Sequence, residues 1–283
     1  MSEWIRKNNN EQLKEEVYGN TVSLLKFPAL EETGLVKHAF STRMGGVSKG
    51  YLSSMNLSFT KESSYENVVE NYKRISNVLG IDMEDMVLSY QTHTTNILKV
   101  EKKHRGSGIL KEREYGDVDA LITDEKGICL VTFFADCVPI YLLDTKNKAI
   151  GLVHSGWRGT VERIADITFR AMQFNYGSRA EDMIACIGPS ICADHYEVGT
   201  EVADSFRRSF SDHSIEGILK YKDETHYMLD LWEANRIILE DIGISPSNIH
   251  ITDICTFCNN DKLFSHRFAG DQRGNMAAFL ALR

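Results

Sequence analysis

A chain of 283 residues with a formal net charge of −8 is long enough to bury a large core. Its 32 lysines and arginines are spread along the sequence instead of gathered in runs, which excludes a polyanion-binding surface and with it nucleic acid as a partner. The polar start MSEWIRKNNNEQLKEEV has no apolar stretch of signal-peptide length, and no later stretch approaches the roughly 18–20 apolar residues of a membrane span. The expectation is a cytoplasmic protein without a membrane partner, one domain over 1–283 with a polar amino-terminal extension of about residues 1–20. In a reducing compartment its six cysteines read as buried apolar residues, ligands or nucleophiles before they read as disulfides.

Strand and helix signals then alternate without a linker, a repeat or a low-complexity tract. Residues 64–79, SYENVVENYKRISNVL, place Val68, Tyr72, Ile75 and Leu79 at helical spacing, with Ser63 or Ser64 as N-cap and Gly80 as the stop. The runs MVLSY, NILKV, ALIT, ICLVTFF, VPIYLLD and AIGLVH read as strands, most of them too apolar to leave one face in water. A helix is expected over 160–176, with Val161, Ile164, Ala165, Thr168 and Met172 as its inner stripe and Gly177 after its last turn. MIACIG and NIHIT follow as strands, with helices at about 198–210 and 230–241. The pattern as a whole is α/β, with sheets covered on both faces.

The polar turn TKNK, residues 145–148, joins VPIYLLD to AIGLVH as an antiparallel hairpin. If Asp144 faces Ala149, Pro139 faces His154, and Cys137 lies on the same face, diagonal to that histidine at roughly 7–8 Å between backbones. Three readings follow. The pair is a buried thiol beside a core histidine, a nucleophilic Cys137 activated by His154, or part of a zinc site that needs a third ligand. His93 in LSYQTHTTNILKV, between two short strands, is the candidate third ligand, against the alternative of a solvated turn histidine. Asp136 points to the other face in a strict strand, so a role in orienting a histidine or relaying a proton is not favoured. Arg43 in STRMGG and Arg158 in GWRG stand beside glycines that let backbone approach an anion, and a solvated turn arginine is the competing reading for each. Cys255 and Cys258 form a C-x-x-C, but Cys186 with Cys192 is a poor second pair for a structural zinc, so burial is the reading for these four.

Seven segments come in fixed order: STRMGGVSKGYLSSMNL (41–57), QTH (91–93), DALIT (119–123), ADCVP (135–139), HSGWRG (154–159), CIGPSICADHYEVGTEV (186–202) and CTFC with LFSHR (255–267). Together, from about residue 35 onward, they resemble the YfiH-like family, labelled laccase-domain or multicopper polyphenol oxidase and reassigned as purine nucleoside phosphorylases. The resemblance implies mixed β-sheets packed as a sandwich with outer helices, layered α/β/β/α. It also implies one zinc on His93, Cys137 and His154, and phosphorolysis of adenosine and inosine, with methylthioadenosine as a further substrate candidate, to free base and ribose 1-phosphate. Adenosine deamination at the same zinc is part of the expectation. Nucleoside and phosphate are then the partners, with Arg43 and Arg158 as the expected phosphate ligands; oligomeric state is left open.

Departures from the family pattern are Ser155 where alanine is common, which puts a hydroxyl beside a ligand, Phe268 after SHR, and QRGNMAAF in place of the G-R-M-A order. The last two put a carboxy-terminal arginine pair for phosphate in doubt. Copper is not favoured, since a multicopper oxidase builds its cluster from repeated His-X-His pairs and none of the nine histidines forms one; weak phenol oxidation is a side reaction at most. The alternatives carried forward are a metal-free Cys/His hydrolase and a zinc-stabilised binding protein linked to cell-wall precursor quality control.

Overall fold

The runs VPIYLLD and AIGLVHS are buried at every position, which only a sheet covered on both faces allows. The computed structural model describes residues 3–8, 12–19, 21–62 and 64–283. Its strands in chain order are β1 (Lys14–Tyr18), β2 (Val22–Lys26), β3 (Val36–Ser41), β4 (Met86–Leu88), β5 (Ile97–Lys99), β6 (Ala120–Thr123), β7 (Cys129–Phe134), β8 (Val138–Asp144), β9 (Ala149–Ser155), β10 (Met183–Ile187), β11 (Glu197–Gly199), β12 (Leu219–Tyr221), β13 (His226–Leu229), β14 (Ile249–Ile251) and β15 (Met276–Leu282). The helices are α1 (Pro28–Glu31), α2 (Tyr65–Leu79), α3 (Trp157–Val161), α4 (Ile164–Tyr176), α5 (Thr200–Ser209), α6 (Asp212–Ile218), α7 (Leu231–Asp241) and α8 (His266–Ala269).

Two six-stranded mixed sheets, ordered β1-β2-β3-β15-β7-β4 and β14-β10-β8-β9-β6-β5, pack face to face, and β11-β13-β12 form a small third sheet. Phe40, Leu130, Met276 and Leu280 of the first sheet meet Tyr141, Leu143, Ile150 and Leu152 of the second in the central core. On the outer face of the first sheet, Val68, Tyr72 and Ile75 of α2 cover Leu24, Val131 and Phe279. On the outer face of the second, Phe169 and Met172 of α4 with Ile238 and Leu239 of α7 cover Ile140, Leu142 and Ala185. The layers are therefore α/β/β/α.

Local chemistry accounts for the helix ends. Ser64 caps α2 by accepting the Asn67 N–H, and Gly80 stops it in the left-handed conformation; Ser63 lies outside the described residues. The single helix expected over 160–176 is instead two. Arg163 turns left-handed at φ 60° between α3 and α4, so Val161 belongs to the first helix and the buried stripe of the second includes Phe169. All eight expected strands are present, but β1, β2, β3, β11, β12, β13 and β15 were not anticipated. MAAFLAL is built from residues that favour helices, yet it pairs with β3 on one side and β7 on the other, so tertiary pairing overrides propensity.

The register of β8 and β9 puts Asp144 opposite Ala149 and Pro139 opposite His154, as the turn length implies. Ala120 of β6 pairs with Val153, so Asp119, one residue before β6, comes beside His154; its carbonyl accepts the His154 N–H at 2.8 Å. The start of β8, the end of β9 and the entry to β6 thus share one end of the second sheet.

Candidate metal centre

Three ligand atoms converge at that end. His93, Cys137 and His154 each offer one, all within 4.8 Å of one another. The Cys137 sulfur lies 3.8 Å from His93 Nε2, and the two imidazole rings stand edge to face at 4.9 Å.

His93 reaches this point through a turn that two side chains hold. Gln91 donates to the Phe133 carbonyl at 2.8 Å and accepts the Phe133 N–H at 2.7 Å, clamping the chain to the end of β7. His93 itself is left-handed at φ 65°, an unfavourable state for a non-glycine residue. Asp119 holds it there. Its carboxylate accepts the backbone N–H groups of Thr92, His93 and Thr94 at 3.0, 3.1 and 3.0 Å. The same carboxylate lies 2.7 Å from His154 Nδ1, fixing the ring so that its other nitrogen faces Cys137. This carboxylate–histidine arrangement orients metal-binding imidazoles. Burial works to raise the Asp119 carboxyl, but the bonds from His154 and from the Thr92 and Thr94 amides outweigh it and hold the group below its ordinary value.

Without a metal, the thiol and imidazole perturb each other. Burial opposes ionisation of Cys137, yet the charge of His154 and hydrogen bonds from both histidines bring it down to about 6. Burial likewise disfavours a charged His154, but Cys137 and Asp119 raise it to about 9. The metal-free pair is therefore thiolate and imidazolium at neutral pH. Alkylation of Cys137 by iodoacetamide in chelator-treated protein should be half-maximal near pH 6 and level off by about pH 7.5. A rate still climbing through pH 8, followed by peptide mass spectrometry, would contradict this pairing.

Gly156 leaves the space that the ligands occupy. A Cβ there would lie 3.0 Å from His93 Cδ2 and 3.2 Å from the Cys137 sulfur. Gly156→Ala should therefore fold normally but bind metal roughly tenfold more weakly or worse, since ligand geometry tolerates little displacement. Competition with a chromogenic chelator measures it, and unchanged affinity would show that the ligands have room to move.

The triad opens on a cleft of about 380 Å³, a size typical of small-molecule sites. Phe59, Tyr90 and Phe133 supply aromatic wall, and the lining arginines are Arg113 and Arg273. Arg273 is pressed down from its ordinary value by burial, and its Nε–H is buried without an acceptor.

The arginines expected from sequence are placed elsewhere. Arg43 donates to the carbonyls of Ser53 and Asn260, each at 2.8 Å, and stacks on Phe264. Arg158 is exposed and stacks on Trp157 at 4.3 Å. Neither lines the cleft. The hydroxyl of Ser155 does not enter the site either; it donates to Asn235 Oδ1 at 2.9 Å within a buried cluster with Thr160. Asp136, at φ 90°, turns from the histidines and accepts from Thr256 Oγ1 and the Arg267 N–H, both at 2.6 Å. Asp119 is the residue that sequence reasoning missed, and Arg273 lies in the QRGNMAAF segment that it set aside. Cys255 and Cys258 are not merely buried thiols: they meet Cys192 and His195, whereas Cys186 in β10 joins no such group among the described residues.

No helix among the described residues is long and apolar enough to cross a membrane. The chain is 35% identical over 254 residues to a purine nucleoside phosphorylase of Bacteroides thetaiotaomicron, covering 89% of this chain and 94% of that one. It is 36% identical over 246 residues to purine nucleoside phosphorylase YlmD of Geobacillus stearothermophilus, covering 86% and 89%. The crystal structure of YlmD from Geobacillus stearothermophilus superposes with a TM-score of 0.88 at 33% identity over 96% of this chain and 99% of that one, and YfiH of Bacillus licheniformis gives 0.88 at 30% over 97% and 100%. With the profile of the multi-copper polyphenol oxidoreductase laccase family matching residues 37–283, the chain belongs to that family.

Proposed function

We propose that this protein is a zinc-dependent purine nucleoside phosphorylase acting on adenosine and inosine, with adenosine deamination as a second activity of the same cleft. The observation that carries the reading is a metal-ligand triad and a half-buried arginine with a shielded, unpartnered Nε–H, both lining one aromatic-walled cavity. The names of the relatives support the class of reaction.

The donor set fits zinc. One thiolate and two imidazoles suit a borderline-soft ion, and three protein ligands leave a position open, as in catalytic zinc sites. When bound, zinc supplies Lewis-acid polarisation of a water or a substrate atom. The chain's own residues do the rest. Phe59, Tyr90 and Phe133 offer flat apolar surface for a purine. Arg273, with Arg113, replaces Arg43 and Arg158 as the phosphate ligand, since its unpartnered Nε–H needs an acceptor that a phosphate oxygen provides. In phosphorolysis that oxygen bonds to ribose C1′ as the C1′–N9 bond breaks. The electron pair leaves with the purine, which takes up the proton that the phosphate gives up on becoming an ester, and the positive charge developing on the ribose faces the anion held by the arginine. Deamination exchanges the 6-amino group for the oxygen of water and needs no phosphate.

Incubating adenosine with and without phosphate separates the two. Chromatography should show free base only when phosphate is present and inosine in both cases. Arg273→Ala should lower base release by roughly 30-fold or more, the cost of removing one partner of a desolvated arginine–phosphate contact, and should affect inosine formation far less. Equal losses in both reactions would remove Arg273 from the phosphate role.

A further inference from the structure

Cys192 and His195 form a C-x-x-H, Cys255 and Cys258 a C-x-x-C, and the fold brings the two pairs together with all four ligand atoms within 4.8 Å of one another. His195 Nδ1 lies 3.3 Å from the Cys192 sulfur and 3.5 Å from that of Cys258. The Cys192 N–H donates to the Cys255 sulfur at 3.3 Å. We propose that these four side chains form a second metal site, a closed Cys₃His zinc site of structural type, separate from the centre at His93, Cys137 and His154.

The donors decide the class. Zn–S bonds of about 2.3 Å and Zn–N bonds of about 2.0 Å put tetrahedral ligand atoms roughly 3.5–3.8 Å apart, close to the spacing seen here. Four protein ligands leave no open position, which marks a structural and not a catalytic site. Lys7, bonded to Asp194 at 2.9 Å, lies near the sulfurs of Cys192 and Cys258 and offsets the surplus negative charge of three thiolates on a divalent ion. Simple burial explains Cys129 and Cys186, fully enclosed in β7 and β10 and part of no such group among the described residues. It does not explain Cys258 and His195, which are only half-buried.

The position suggests what the site holds. It ties the loop after β10 to the segment that follows β14, where the Thr256 N–H also donates to the Ser190 carbonyl and the Trp232 indole to the Ser190 hydroxyl. One residue past Cys255, Thr256 bonds Asp136, and Asp136 directly precedes Cys137. The second metal therefore braces the turn that aims the first site's thiolate.

Elemental analysis of protein purified without chelator should find about two zinc ions per chain. Cys137→Ala, His195→Ala and Cys258→Ser should each keep about one, and Cys137→Ala with His195→Ala none. His195→Ala should also melt at a lower temperature than the native protein, independently of any turnover. If the ligand variants fail to fold, the Cys137→Ala protein still decides the matter. Titrated with a mercurial, it should release about one zinc to a chromogenic dye, and its cobalt-loaded form should show strong sulfur-to-metal charge-transfer absorption. A folded Cys137→Ala protein without metal would overturn the proposal. So would a Cys192–Cys255 or Cys192–Cys258 disulfide, seen by non-reducing peptide mass spectrometry of the native protein.

Discussion

Asp119→Asn is expected to weaken metal retention at His93, Cys137 and His154 by about 10–100-fold, although the residue touches no metal. Its carboxylate does two jobs at once: it fixes the His154 ring through Nδ1 and gathers three consecutive amide N–H groups that hold His93 left-handed. Asparagine keeps the shape, but its amide nitrogen is a donor and meets donors on the side where an oxygen stood. The turn at 92–94 then loses at least one bond to a charged acceptor, worth about 1.5–3 kcal/mol, which weakens the hold on the strained backbone at His93. Zinc affinity by chelator competition, together with a melting curve of the metal-free variant, separates ligand orientation from folding. If affinity is unchanged while stability drops, Asp119 only supports the turn; if neither moves, the cradle has no energetic role.

Cys137→Ala should empty the first site and bring both proposed reactions to background. Two imidazoles without the thiolate leave zinc a weak, poorly charged pair of ligands. The same substitution tests the metal-free alternative, because the thiolate and imidazolium of the chelated protein resemble an activated cysteine nucleophile. The two readings diverge with chelator. A metal site loses turnover when zinc is stripped and regains it on reloading, whereas a Cys137 nucleophile keeps its rate and is inactivated by iodoacetamide at the pH plateau described above. Turnover that survives chelation but not alkylation would transfer the chemistry to Cys137 alone.

What was legible in the sequence follows from the range of the interactions involved. The Cys137–His154 juxtaposition was readable because a four-residue polar turn fixes hairpin register, and a period of two then fixes the face. The covered sheets were readable from strands without a polar face. Asp119 was not, since its partners lie 25 to 35 residues away and a lone acid before ALIT carries no local signal. Arg273 was passed over for another reason: its segment QRGNMAAF departs from the family order, which set a carboxy-terminal arginine aside in favour of Arg43 and Arg158 beside glycines, yet Arg43 is consumed by two backbone carbonyls. The break at Arg163 escaped because the apolar spacing of 160–176 continues across it. The C-x-x-H at 192–195 was in plain view, yet only the fold shows that it is the partner of CTFC.

The central claim is that this cleft transfers ribose from purine to phosphate. Its most direct test is phosphorus NMR of native protein incubated with inosine and inorganic phosphate. Ribose 1-phosphate should accumulate in step with hypoxanthine, and Cys137→Ala should produce neither. Hypoxanthine appearing with free ribose at a rate independent of phosphate would make the protein a hydrolase and contradict the account.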